Sequence, residues 1–220
     1  MPAPRILVTG FGIFPGAPVN PTEALVARLL ADPPAGPHVA AFEAHVLAVE
    51  YGSVAANLSQ IGAAFRPDIA IHFGLARGCS GFRLERVARN AHAPGRPDQA
   101  GRLPDRASIC DGPDSFVSTL PLDDTAGALR AAGLPVQWSD DAGGYLCNMV
   151  FALSASHSCD GLRPAFCGFV HVPPLKEAEP ESPNAMALAD LERGARIVVD
   201  VAARAWEKRA GNAAPALSAI

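Results

Sequence analysis

Asp140-Asp141-Ala142-Gly143-Gly144-Tyr145-Leu146-Cys147-Asn148-Met149-Val150-Phe151 joins two acidic residues and two glycines to one cysteine and an apolar run. The first half predicts a tight loop. Met149, Val150, Phe151 and Leu153 recur at the spacing of a buried helix. Cys147 therefore falls in the first turn of that helix, where unpaired N–H groups and the positive dipole end favour a thiolate over a thiol. Upstream, Leu134 to Trp138 reads as a short strand. Downstream, Ala165 to Val172 reads as a buried strand stopped by Pro173-Pro174.

Strand, helix and strand make one unit. A helix of about 14 residues rises about 21 Å, and a strand of about 7 residues runs back about 23 Å. In a parallel crossover the helix starts at the carboxyl edge of one strand, and the next strand returns to that edge. Cys147 and His171 then share the edge where open α/β sheets bind ligands. A thiol and an imidazole placed together there point to nucleophilic catalysis.

The rest of the chain extends this pattern. Arg5 to Thr9 is a buried strand, followed by the glycine-rich loop Gly10 to Gly16 with Phe11 and Phe14. Asn20-Pro21-Thr22-Glu23 opens a helix, with Asn20 as its cap, and Leu25, Val26, Leu29 and Leu30 form its buried face. Val39 to Val49 holds one or two strands, and Ser53 to Phe65 is a helix. Asp68 to Phe73 is a buried strand leading into a second glycine-rich loop, Gly74 to Gly81. Phe82 to Asn90 is extended, with Glu85 on the same side as Val87, where a lone carboxylate needs a partner. Residues 91 to 115 form a long loop, a candidate flap. Asp123 to Ala132 is a helix closed by Gly133, and Asn184 to Arg209 is a long amphipathic helix. Strands alternating with helices predict an α/β fold, a single-domain three-layer α/β/α sandwich around a largely parallel sheet. The domain is expected over residues 1–210, with a frayed tail over 211–220.

Composition narrows the function. A chain of 220 residues, 49% hydrophobic and 18% charged with net charge −4, suits one domain and no polyanionic partner. Seven arginines fall between Arg77 and Arg106, but Glu85, Asp98 and Asp105 interrupt them and no aromatics interleave, which argues against nucleic acid. No apolar run reaches the roughly 20 residues of a membrane span. The first residues show no signal-peptide pattern, so a soluble cytoplasmic protein without a membrane partner is expected. Five cysteines, at 79, 110, 147, 159 and 167, are odd in number, irregular in spacing and without a CxxC, which predicts free thiols and no zinc site. Gly10-x-Gly12 follows a strand, but Pro15 stands where a dinucleotide loop needs its third glycine.

Among six histidines, His72 sits inside a buried strand, where a structural role is expected, while His171 ends a strand beside a double proline. The other four cysteines read as small apolar fillers or loop residues. From the residues alone the reading stops at an expected Cys–His hydrolase, with no substrate named.

The motifs then match a family. Thr9-Gly10-Phe11-Gly12-x-Phe14 with Asn20 following, Glu85-Arg86-Val87-Ala88-x-Asn90, Asp111-Gly112-Pro113-Asp114, Asp141 to Asn148, and Phe169-Val170-His171-Val172-Pro173 together resemble the pyroglutamyl peptidase I family of cysteine peptidases, over nearly the whole chain. The resemblance implies a Cys-His-Glu triad made of Cys147, His171 and Glu85, which would also explain the setting of Glu85. It implies a pyroglutamate pocket including Phe11, Phe14, Asn20, Leu75, Tyr145 and Leu146. It further implies no cofactor or metal, peptides with an N-terminal pyroglutamate as substrates, and a homo-oligomer, commonly a tetramer. One departure stands out. Many bacterial members carry Gly-Gln where this chain has Gly74-Leu75, and Leu75 cannot hydrogen bond to a lactam. Weaker discrimination against prolyl substrates is expected. Two other readings remain: a catalytically silent homologue using the same pocket for a small lactam or cyclic amide, and a nucleoside-type ligand site on a similar sandwich fold.

Overall fold

Ile6-Leu7-Val8 and Ile69-Ala70-Ile71 are fully buried on both sides, which makes the strands that carry them central. The computed structural model describes residues 2–213. In chain order these form β1 (Arg5–Phe11), α1 (Pro21–Ala31), β2 (Ala41–Leu47), α2 (Tyr51–Phe65), β3 (Ile69–Leu75), β4 (Phe82–Glu85), β5 (Val87–Arg89), β6 (Ser115–Val117), α3 (Leu122–Ala131), β7 (Val136–Ser139), α4 (Leu146–Ala155), β8 (Phe166–Val172) and α5 (Leu188–Ala213). One six-stranded sheet runs in the order β2-β1-β3-β8-β4-β7. Its first four strands are parallel. The fold is a single α/β domain with helices on both faces.

Two cores follow from the pleat. Ile6, Val8, Ile71 and Val170 face α1, α3 and α5, while Leu7, Ala70, Cys167 and Phe169 face α2 and α4. Successive side chains of a strand point to opposite faces, so each apolar run feeds both layers. α1 starts as expected: the Asn20 side chain accepts from the Thr22 N–H, and Pro21 stands at the first helical position. Leu30, expected on the buried face, is exposed.

The structure corrects the strand–helix–strand geometry. β4 pairs antiparallel with β8 and parallel with β7, so β7 also runs against β8. Leu84 stands opposite both Trp138 and Val170, which puts the carboxyl end of β7 level with the middle of β8. β7 therefore does not deliver Cys147 to the ligand edge. The loop from Asp140 to Tyr145 carries the chain back there. Gly143 takes φ +81° within it, and the Asp141 carboxylate accepts the Gly143 N–H at 3.0 Å.

The long loop after β5 is tied to the start of α4. Asn148, fully buried, accepts the Arg89 N–H at 2.8 Å and donates to the Arg89 and Ala91 carbonyls. Further on, Ala93 N–H donates to the Gly144 carbonyl. The small β5–β6 ribbon pairs Ala88 with Phe116, and its β6 strand starts at Ser115, the last residue of the expected loop. α5 begins at Leu188 rather than Asn184 and continues to Ala213, past the expected end at Arg209. The rest of the expected frayed tail lies outside the described residues.

Candidate active site

Glu85 ends β4 with its side chain fully buried, and His171 is buried near the end of β8. Register puts Arg83 opposite His171 and Glu85 opposite Phe169 on these antiparallel strands, so the carboxylate lies diagonal to the imidazole on one face. His171 Nδ1 and Glu85 Oε1 are 2.7 Å apart. A carboxylate only accepts, so the proton of this bond sits on Nδ1 and leaves Nε2 bare. The buried carboxylate expected to need a partner has found His171. Arg83 Nε stands 3.3 Å from the same oxygen without an aligned hydrogen bond, and Glu85 Oε2 has no partner among the described residues.

Cys147 occupies the second residue of α4, inside the first turn as expected. Its sulfur lies against β3 because Gly74 has no side chain. A Cβ at position 74 would stand 2.8 Å from Cys147 Sγ and 2.7 Å from Phe169 Cζ. Gly74 is paired with His171 in the sheet, and the Phe169 and His171 rings are 4.8 Å apart. Thiol and imidazole thus lie on one face of the sheet, with no hydrogen bond between them. Such bonds are often long until substrate arrives.

The thiol departs from expectation in its acidity. Burial pushes Cys147 up to about 12; the charge of Arg96 opposes this, the charge of Glu85 adds to it, and the residue's own N–H opposes it. A helix dipole contributes about 0.3–1 kcal/mol, whereas burial can shift a group by about 3–5 pH units, so burial wins. The thiol therefore keeps its proton at neutral pH.

A cavity of about 470 Å³, open mouth included, lies next to the sulfur. All the pocket residues expected from sequence line it: Phe11, Phe14, Asn20, Leu75, Tyr145 and Leu146. The Phe14 and Tyr145 rings are 6.3 Å apart, and the Tyr51 and Tyr145 rings meet edge to face at 5.8 Å. Asn20 is committed elsewhere: its Nδ2 donates to the Gly12 carbonyl, and its Oδ1 accepts from Thr22. Arg96 also lines the cavity. Sequence reading missed it, since it sits among arginines of an irregular loop. His72 is structural, as expected. Its Nδ1 is 2.8 Å from Thr9 Oγ1, and burial holds its pKa down at about 3.

The close approach at Gly74 gives one expected result. Gly74→Ala should cost some stability, because the new methyl overlaps the buried Phe169 ring, and should push the Cys147 side chain aside. Turnover should then fall about 100-fold, the cost of roughly 1 Å of misplacement. Near-normal turnover in a folded Gly74→Ala variant would mean that the sulfur does not act from this position.

The model of the pyroglutamyl peptidase family matches residues 4–205. A pyrrolidone-carboxylate peptidase of Pyrococcus furiosus is 38% identical over 79% of this chain and 82% of its own length. One from Streptomyces coelicolor is 36% identical over 91% of this chain and 92% of its own. A solved mutant pyrrolidone carboxyl peptidase from P. furiosus superimposes with a TM-score of 0.83 at 34% identity, covering 91% of this chain and 99% of that one. The chain therefore belongs to the pyroglutamyl peptidase family, a family of cysteine hydrolases.

Proposed function

We propose that the chain removes an N-terminal pyroglutamate from peptides by acyl transfer through Cys147, His171 and Glu85. One observation carries this reading: the 2.7 Å His171–Glu85 bond lies on the face against which the Cys147 thiol stands, at the foot of an aromatic cavity.

In this reading Cys147 Sγ attacks the carbonyl carbon joining pyroglutamate to the next residue. As the C–S bond forms, the thiol proton passes to His171 Nε2. The carbonyl oxygen becomes an oxyanion beside the first-turn N–H groups of α4, which have no intrahelical acceptors. Each such donor is worth about 3–4 kcal/mol to the transition state. The intermediate collapses, the C–N bond breaks, and His171 hands its proton to the leaving amine. Water then attacks the thioester, gives a proton to His171, and the sulfur leaves and recovers that proton. The products are free pyroglutamate and the shortened peptide. Glu85 holds the imidazole in the tautomer with Nε2 bare and stabilises the imidazolium. The rings of Phe11, Phe14 and Tyr145 hold the flat lactam, with Leu75 and Leu146 as apolar walls. The same reading carries a homo-oligomer, a tetramer by the resemblance, working in the cytoplasm. A silent lactam-binding homologue has no observation in its favour.

The test is a pyroglutamyl fluorogenic amide. Release of the fluorophore together with free pyroglutamate supports the reading; an inert enzyme with Cys147 reduced refutes it.

The thiol chemistry gives a second expected result. Cys147 is half-buried, whereas Cys79, Cys110, Cys159 and Cys167 are buried. Iodoacetamide at neutral pH should therefore alkylate Cys147 first. The reaction should depend on His171, because the thiol alone is pushed up to about 12. A raised pKa keeps the proton on as pH climbs. In His171→Ala the alkylation rate should be very low at pH 7 and rise about tenfold per unit through pH 10. A plateau near pH 9 in that variant, or faster labelling of Cys79 in the wild type, would contradict it.

A further inference from the structure

Arg96 enters the site from the long loop after β5, and its placement is held from both sides. Tyr51 Oη donates to the Arg96 carbonyl and Tyr145 Oη to the Pro97 carbonyl, each at 3.1 Å. The next residue, Asp98, is buried and accepts the Tyr51 N–H at 2.9 Å, fixing the loop to the start of α2. The guanidinium carbon of Arg96 then lies 4.0 Å from the centroid of the Tyr145 ring. That ring also lines the cavity.

Several arginines near Arg96 in sequence pair with carboxylates. Arg86, Arg89 and Arg106 pair with Asp140, Asp141 and Asp111, whereas Arg102, in the same loop, pairs with no carboxylate among the described residues. Among the described residues Arg96 pairs with none. It is also the only charged residue among those lining the cavity, and its charge reaches the thiol of Cys147.

The chemistry of an occupant follows. Guanidinium carries five donors and no acceptor, so it can bond a carbonyl oxygen but not a ring N–H. Its positive charge opposes a second cation brought into the same small space. Aromatic faces, an apolar wall at Leu75 and one unpaired guanidinium suit a flat, uncharged ring bearing a carbonyl. They do not suit a ring bearing an ammonium. We propose that Arg96 selects the acyl group: it donates to the ring carbonyl oxygen of the substrate and excludes free N-terminal amines, a discrimination that Leu75 cannot make. This rests on the pyroglutamyl reading of the same cavity. It also revises the expectation drawn from Leu75, since a charged donor elsewhere in the pocket now separates pyroglutamyl from prolyl groups.

The experiment reads occupancy without turnover. Cys147 is alkylated with iodoacetamide in the presence of 2-pyrrolidone, a neutral lactam, or pyrrolidine, protonated at neutral pH. The wild type should be protected by 2-pyrrolidone and not by pyrrolidine. In Arg96→Met the concentration of 2-pyrrolidone giving half protection should rise about 12- to 160-fold, the range for a hydrogen bond to a charged group, and pyrrolidine should begin to protect. Arg96→Lys keeps the charge but not the fork, so it should still exclude pyrrolidine. Equal half-protection by 2-pyrrolidone in wild type and Arg96→Met overturns the proposal. So does the same pyrrolidine response in the Lys and Met variants, which would make Arg96 a prop for Tyr145 only. If amides are hydrolysed while protection ignores residue 96, this inference fails and the pyroglutamyl reading stands. If protection follows residue 96 but no pyroglutamyl amide is cleaved, the catalytic reading fails instead.

Discussion

Cys147→Ala is expected to abolish hydrolysis of a pyroglutamyl amide, with a loss in turnover on the order of 10⁶-fold, the size found when the nucleophile of an acyl-transfer triad is removed. No other thiol is placed to substitute, because Cys79, Cys110, Cys159 and Cys167 are buried. The fold should survive. The substitution removes one half-buried sulfur from a helix first turn, and alanine is the better helix former. The lactam should still bind, since the aromatic walls of the cavity are untouched. Steady-state rates with matched thermal melts of the two proteins check this. Activity retained within a few fold would assign the nucleophile to another residue.

Glu85→Gln is expected to keep the fold and lower kcat by about 10⁴-fold, as the comparable carboxylate-to-amide change does in another triad. The amide has nearly the same shape, so the packing of β4 against β8 persists. What changes is the hydrogen bond at His171 Nδ1, now 2.7 Å from a carboxylate oxygen. An amide NH₂ turned toward Nδ1 drives the ring proton to Nε2, which then cannot accept from the thiol. An amide oxygen turned toward Nδ1 keeps the tautomer but carries no charge to stabilise the imidazolium. Either way the loss falls on the chemical step. Glu85 does not line the cavity, so KM should change little. A variant with near-normal kcat would reduce Glu85 to a structural partner of Arg83 and His171.

The parts of this site that were legible in the sequence are those with a periodic or local signal. β1, β3 and β8 are apolar runs buried on both faces, and the step from Gly143-Gly144 to an apolar run marks the start of α4. Glu85 stood out because a carboxylate on an apolar side demands a partner. The directions of β4 and β7 were not legible. A four-residue strand has the same alternation read either way, and its pairing partner is set by distant chain. Arg96 was hidden for a related reason. Nothing periodic marks residues 91–115, and the loop is shaped by Asn90 and Asp98 reaching Cys110, Tyr51 and Arg102. The acidity of Cys147 was misjudged because the helix start is visible in sequence while the burial that outweighs it is not.

The covalent step can be caught by quenching the enzyme in acid during turnover of a pyroglutamyl ester. Its good leaving group makes thioester hydrolysis the slow step, so the acyl-enzyme accumulates. Mass analysis of the digested protein should find one pyroglutamyl group on the peptide carrying Cys147 in the wild type, and none in Cys147→Ala. A pyroglutamyl group on any other residue, or steady hydrolysis that Cys147→Ala leaves intact, would contradict acyl transfer through this cysteine.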